Sequence, residues 1–392
     1  MAPLPNFPTA WVSGAGPTGC LAALALARAG WQVSLQDPAS AAALQHRSRA
    51  YALTHSSQAL LQQLGLWEAL APHWQAFDRL ELIDCSSAKQ VSFLGLGPTQ
   101  GPGPGAVGWI LNHAPLMEVL LAACHQQPGL ELLLGQAASA SEAHQRQLTV
   151  IAEGGRSPSR ERLGIPFWGW RYQQACLTAQ VQLEGNGDHT AWELFRPEGP
   201  LAVLPLGKGL AQVVWSGPQE RCNQRAALPE AAFLEALTAV LPSGLKALAL
   251  RDQPASFPLE WRLAGRLGQG QQLLLGESGH RCHPVGGQGL NLCWRDVAVL
   301  AQEAAAVSNG RQSVRQLVRR YGRRRWPDLL ATSVATDLLV RLFSNRQPVL
   351  MALRSLALGL LGRSGPLRQG VLQLATYGLG PRSLDKKGVN PE

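Results

Sequence analysis

The alternation of apolar and polar positions divides the chain into three regimes. Residues 10–13 read as a short β-run, a glycine-rich turn follows, and an Ala/Leu-rich stretch predicts a helix to about Ala29, stopped by Gly30. Residues 31–36 read as a second strand, so the N-terminus is a βαβ unit. Between about Phe167 and Trp261 the pattern becomes strict alternation (176–183, 202–206, 212–215) with Gly/Pro turns between, which predicts a separate antiparallel sheet. A later strand at 272–275 runs into GESGHRCHPVGGQGLNLCWRD and a long helix over about 290–307. The pattern then stays helical to about Gly378, and the polar tail 382–392 reads as loose. The Pro/Gly-dense stretch 95–108 reads as a surface loop or linker, with a flexible segment beside a site as the alternative.

Composition narrows the class. The chain has 392 residues, 46% hydrophobic and 16% charged, and at roughly 150 residues per domain it holds two to three domains. Low charge excludes charge-driven disorder, and 41 Gly with 27 Pro fall short of a low-complexity composition. The net charge of +9 is unevenly placed: residues 311–392 carry 15 basic against 4 acidic side chains, so the rest of the chain is slightly acidic. A basic C-terminal region is suited to an anionic surface rather than to the chemistry itself. Seven dispersed cysteines without a CxxC pair point to reduced thiols in a cytosol-like compartment. The first residues lack a signal-peptide pattern, and no apolar run approaches the roughly 18–20 residues of a spanning helix, so a cytoplasmic protein is expected.

Gly14-Ala15-Gly16-Pro17-Thr18-Gly19 fits GxGxxG between a strand and a helix, the context a dinucleotide fingerprint requires. Gly14 permits the tight turn, Gly16 the approach of a pyrophosphate and Gly19 close helix packing, while the helix start offers free N–H groups. Asp37 ends the second strand, where an acid binds a ribose hydroxyl. At the other end of the chain a strand delivers Glu277, and residues 284–290 place a rigid Pro and several glycines before a helix start. Amides there suit the negative charge of an electron-rich ring such as a reduced flavin.

With these residues in view, the chain resembles the flavin-dependent aromatic hydroxylases of the p-hydroxybenzoate hydroxylase fold, and most closely their ubiquinone-biosynthesis branch. The resemblance rests on GAGPTG with Asp37, RSRAYALTHSSQALLQQLGLWEAL around Arg49, IAEGGRSPSR around Glu153, WELFRPEGPLAVLPL, GESGHRCHPVGGQGLNL and TDLLVRLFSN. It implies an α/β fold: a Rossmann-like FAD-binding domain (1–75, 105–166, 264–325), an inserted antiparallel β-sheet substrate domain (76–104, 167–263) and C-terminal helices (326–392). It implies FAD as cofactor, with Gly14, Ala15, Gly16, Pro17, Thr18, Gly19 and Asp37 on its ADP half. Arg49 is implied on the pyrophosphate or near the flavin. Pro284, Gly287, Gln288, Gly289 and Leu290 are implied at the ring edge, with Asn291 opening the helix. The usual Gly-Asp reads Gly276-Glu277 here and the usual Asp-Gly reads Glu153-Gly154, each carboxylate one methylene longer. The implied reaction is hydroxylation of a prenylated phenol or quinone precursor with NAD(P)H and O2. A flavin reductase acting on a prenyl lipid and a non-catalytic subunit of a membrane-associated biosynthetic assembly are the alternatives. No catalytic base is assigned; Tyr172, His113 and Trp215 lie in segments able to face a pocket.

Three other patterns have simpler readings. His280, Cys282 and His283 fit no zinc spacing, so no metal is expected. Trp168-Gly169-Trp170 matches a halogenase motif only in part, since Ile165-Pro166 precedes it. Arg319, Arg320, Arg323, Arg324 and Arg325 lack the aromatic platform of a nucleic-acid reader, so no nucleic-acid partner is expected. Finally, Val349, Leu350, Leu353, Leu356, Leu358, Leu360 and Leu361, interspersed with Arg341, Arg346, Arg354, Arg363 and Arg368, predict apolar helical faces with basic edges. Such faces suit a peripheral membrane surface or the protein's own core.

Overall fold

The computed structural model describes residues 7–95, 105–136, 145–185, 187–345 and 347–379. The centre of the 95–108 loop, the tail 382–392 and Arg346 therefore lie outside the described residues.

The βαβ opening forms as its pattern requires. Strand Thr9–Ser13 pairs in parallel with Gln32–Asp37 on one side and Leu148–Ile151 on the other. Leu130–Leu134 and Gln272–Leu274 extend this parallel sheet outward, and Gly268–Gln269 closes one edge as a short antiparallel strand. Helix Pro17–Arg28 is apolar all round because it is covered on all sides: residues 19–27 are buried against the sheet, the helix Gln288–Ser308 and the helix His113–Gln126.

The alternating middle segment builds a nine-stranded sheet around an 18-residue strand, Phe167–Glu184. It pairs antiparallel with Leu210–Pro218, Lys246–Leu250 and Ala255–Ala264. Leu201–Gly207 and Thr190–Phe195 continue the sheet, which gains two strands from the N-terminal half, Arg79–Asp84 and Lys89–Leu94. One pairing departs from the expected antiparallel sheet: Arg79–Asp84 runs parallel to Thr190–Phe195, because a strand from the first half of the chain docks on the far edge. A third, three-stranded sheet is one that the periodicity does not predict. Its strands Ala50–Leu53, Gly108–Asn112 and Trp74–Phe77 are too short and too far apart in sequence to show a period.

After the helix Gln288–Ser308 come helices Val314–Phe343, Pro348–Arg363 and Gly365–Tyr377. Among the described residues no helix is long and apolar enough to cross a membrane. Two members of the predicted basic-edged apolar face are corrected: Leu358 is core, and Arg354 is fully buried with Nε 3.2 Å from Asp84 Oδ2 and Nη1 donating to the carbonyls of Leu342 and Phe343. Val349, Leu353, Leu356 and Leu360 do face solvent.

Candidate active site

The fingerprint glycines divide their work. Gly14 (φ +101°) and Gly19 are forced by packing: a Cβ on Gly14 would lie 2.4 Å from the Ala152 carbonyl oxygen, and one on Gly19 would lie 1.8 Å from that of Gly14. Gly16 has nothing within 4 Å of its Cβ position and caps the helix without any side-chain bond, with Pro17 in the first turn. The open space and uncapped amides beside Thr18 and Gly19 form a cradle for an anion. Asp37 braces this loop, its Oδ2 accepting from the Ala15 N–H and its Oδ1 from the Ala39 N–H, both at 2.8 Å. Each oxygen keeps a second lone pair for a sugar hydroxyl. The Ala15 amide is thus spent within the protein.

A second uncapped helix start lies at the other motif. Gly286 (φ +69°) and Gly287 (φ +64°) are both left-handed, which ends the loop sharply, so the helix begins at Gln288, two residues before the periodicity placed it. Pro284 opens this turn, Leu290 is half-buried, and nothing lies within 4 Å of a Cβ on Gly289. Gln288 is buried, its Nε2 donating to the Gly286 carbonyl at 3.2 Å while its Oε1 has no partner. The two motifs meet through neighbours: a Cβ on Gly276 would touch Thr18 Cγ2 at 3.2 Å, and one on Gly287 would touch Ala52 at 3.1 Å. Ala52 belongs to the strand that follows Arg49, whose guanidinium lies 5.4 Å from the Tyr51 ring centre.

Two of the predicted site residues have their polar atoms held by the protein itself. Asn291 is fully buried and clamps three segments: Nδ2 donates to the carbonyls of Ala52 (2.7 Å) and Gly287 (2.8 Å), while Oδ1 accepts from Thr54 N–H (3.0 Å), Thr54 Oγ1 and Ser57 Oγ. The Glu153 carboxylate is likewise occupied, by Ser13 Oγ (2.8 Å), Ser157 Oγ (2.7 Å), Ser159 N–H (3.0 Å) and Ser159 Oγ (2.5 Å). Burial pushes its pKa up, but these four donors outweigh burial and hold it below the usual carboxylate range. Glu277 is freer, its side chain 44% exposed with Arg281 Nε 3.8 Å away.

Sequence reasoning missed the supports behind these motifs. Asp296 Oδ2 accepts from the Gly276 N–H (2.9 Å) and contacts His280 Nε2 (2.7 Å), and its Oδ1 accepts from Arg325 Nε (2.6 Å). Burial opposes its charge, yet His280 and Arg325 lower its pKa to about 2. His280 therefore belongs to a buried hydrogen-bonded network around Asp296, and Arg325 is a core residue rather than part of a surface cluster. Around the 284–288 loop the nine-stranded sheet contributes Glu193, buried, with Oε2 3.4 Å from the Gly286 N–H and its pKa raised to about 7 by burial. Buried His283 is held neutral, its pKa lowered to about 3 by burial; Nδ1 accepts from the Val285 N–H at 3.2 Å, so Nε2 carries the proton and has no partner. Tyr172 sits edge-on to the His283 ring at 5.4 Å and donates to Asp337 Oδ1 at 2.6 Å. Of the other suggested pocket residues, His113 instead bridges the Leu44 carbonyl and Tyr51 OH, and Trp215 is core beneath Arg225.

These features fit FAD: an open glycine cradle with an uncapped helix for phosphates, an acid at the second strand end, and a second uncapped helix with an orphaned amide oxygen for a ring edge. Comparison with known proteins agrees. The model of the family described as FAD binding domain matches residues 8–83 and 133–332. The chain is 31% identical to the ubiquinone hydroxylase UbiL of Rhodospirillum rubrum, over 94% of this chain and 90% of that one. It is 29% identical to the 3-demethoxyubiquinol 3-hydroxylase of Escherichia coli, over 93% and 97%. In fold it is similar to p-nitrophenol 4-monooxygenase PnpA of Pseudomonas putida, with a TM-score of 0.74 at 18% identity over 93% of this chain and 96% of that one. The chain belongs to the FAD binding domain family, as an FAD-dependent aromatic monooxygenase of the lineage that includes the ubiquinone-biosynthesis hydroxylases.

Proposed function

We propose that the protein hydroxylates the ring of a prenylated phenol or quinone precursor, taking electrons from NAD(P)H and oxygen from O2. The observation that carries this reading is the near-full-length likeness to ubiquinone hydroxylases. The buried polar set that the substrate sheet presses onto the 284–288 loop supports it. FAD supplies the redox chemistry when bound. Gly16, Thr18 and Gly19 take its phosphates, Asp37 the adenosine ribose, Arg49 the pyrophosphate or the flavin edge, and Glu277 a hydroxyl of the flavin's linker. The helix start at Gln288 and Gly289 takes the ring edge, with Pro284 and Leu290 against it. Glu153, Asn291 and Asp296 position these groups without touching the cofactor. Beside the ring loop, neutral His283 offers a proton donor at Nε2, and Glu193 holds or releases a proton near neutral pH. The substrate sheet dries the site so that these groups act at low dielectric.

The finer reading of location is a peripheral one. The solvent-facing Val349, Leu353, Leu356 and Leu360 lie against the membrane that dissolves a prenylated substrate. The decisive test is incubation of the FAD-loaded protein with a prenylated phenol and NADH or NADPH, followed by mass spectrometry. A gain of one oxygen supports the proposal; a gain of two hydrogens replaces it with the reductase reading. No turnover, despite bound FAD, refutes the substrate class.

A further inference from the structure

The edge of the parallel sheet carries a cleft of about 400 Å³ between the turn that follows Gly268–Gln269 and the helix Val314–Phe343. Arg266 comes from the sheet side and Arg315, Arg319 and Arg323 from successive turns of the helix, with half-buried Trp326 as a wall. Their neighbours on that helix are neutralised, Arg324 by Glu303 at 2.8 Å and Arg325 by Asp296 at 2.6 Å. Among the described residues the four cleft arginines have no carboxylate within 4 Å. Like charges spaced i, i+4 destabilise a helix. Four of them gathered round one concavity make a site that an anion stabilises. Guanidinium forks match phosphate oxygens in pairs, and Trp326 offers a flat face against which a guanidinium can be held in place. Gly270 (φ +63°), in the turn at the rim, has nothing within 4 Å of its Cβ position, leaving backbone accessible to a ligand.

We propose that this cleft is a phosphate-binding site, separate from the residues assigned to FAD. Two sources share that chemistry. One is the phosphodiester of an anionic lipid headgroup: Leu330, Val334 and Leu338 follow Trp326 at four-residue spacing on the same helix and are 49%, 53% and 59% exposed, so an apolar stripe continues from the arginines. The other is a soluble compound bearing phosphates. The proposal does not depend on which ring the enzyme hydroxylates.

The test uses the FAD-loaded, full-length protein and two probes. One is vesicles of phosphatidylcholine with or without phosphatidylglycerol, read by co-sedimentation, and the other is inorganic pyrophosphate, read by calorimetry. The variant is R319Q/R323Q, and the control K208Q/K246Q removes the same charge from exposed positions on the substrate sheet. Loss of two charge-assisted partners is expected to weaken binding at least ~10-fold in the variant and little in the control. Flavin content should stay at the wild-type value and the thermal midpoint should not fall. Vesicle binding that pyrophosphate does not displace assigns the site to lipid, whereas binding of pyrophosphate itself assigns it to a soluble phosphate compound. If the wild type binds neither probe, or if variant and control weaken equally, the proposal falls.

Discussion

Asn291 separates two accounts of the same residue. As a ring-contacting residue, its loss would weaken FAD binding and leave the cofactor-free protein as stable as before. As a clamp, its loss destabilises the protein even without FAD. In N291A the Thr54 N–H and the Ala52 carbonyl lose their partner in a site with no exposed surface, while the Gly287 carbonyl, at the N-cap, keeps the backbone N–H of position 291. The hydroxyls of Thr54 and Ser56 remain bonded to each other at 2.9 Å, and Ser57 Oγ can rotate, so two backbone groups carry the cost. At ~1–3 kcal/mol for each of the two stranded groups, and with partial relaxation, about 2–4 kcal/mol is expected, in the upper range of single-substitution effects. For a chain of 392 residues, whose unfolding entropy is correspondingly large, that corresponds to a fall of roughly 2–5 °C in the thermal midpoint of the flavin-free protein, readable by circular dichroism. N291D keeps the three acceptor contacts but turns a carboxylate toward two carbonyls, so it should also destabilise, more at pH 8 than at pH 5. A flavin-free N291A within about 1 kcal/mol of wild type would refute the clamp and return Asn291 to the ring.

Glu193 has a folded-state pKa raised by burial, so its ionisation opposes folding: between its unfolded value of about 4.5 and its folded value of about 7 the wild type loses stability as pH rises. E193Q should match wild type at pH 4 and exceed it by up to about 3 kcal/mol at pH 8, and equal stability at pH 8 would contradict the assigned burial. G16V should release FAD at least ~10-fold more readily while the flavin-free protein melts normally, because its side chain enters only the open cradle. G14A, by contrast, meets the Ala152 carbonyl with a left-handed φ and should yield little folded protein; normal expression would refute that packing. D296N leaves Arg325 and His280 facing a neutral amide and should cost about 3–5 kcal/mol by urea unfolding.

The site was legible where its logic is local. Glycines, a cap position and an acid at a strand end declare themselves within a few residues, so GAGPTG, Asp37 and PVGGQG could be read without a structure. Partners supplied by distant segments could not. Asn291 draws its partners from residues 52–57, Glu153 from Ser13 as well as its own loop, and Asp296 from Gly276, His280 and Arg325. Periodicity also failed to separate Arg354 from the exposed arginines, because its burial follows from Asp84 on a strand 270 residues earlier. The parallel edge pairing of Arg79–Asp84 was hidden for the same reason.

The cradle around Glu153 bears on which substitutions this chain can absorb. The carboxylate spans three serines on two segments, Ser13 at the end of a strand and Ser157 and Ser159 at a helix start. A change to aspartate would withdraw the acceptor from hydroxyls already committed to it, and a loss of serines would leave a glutamate without donors. The four positions are therefore coupled: the cost of a change at any one of them depends on what stands at the other three.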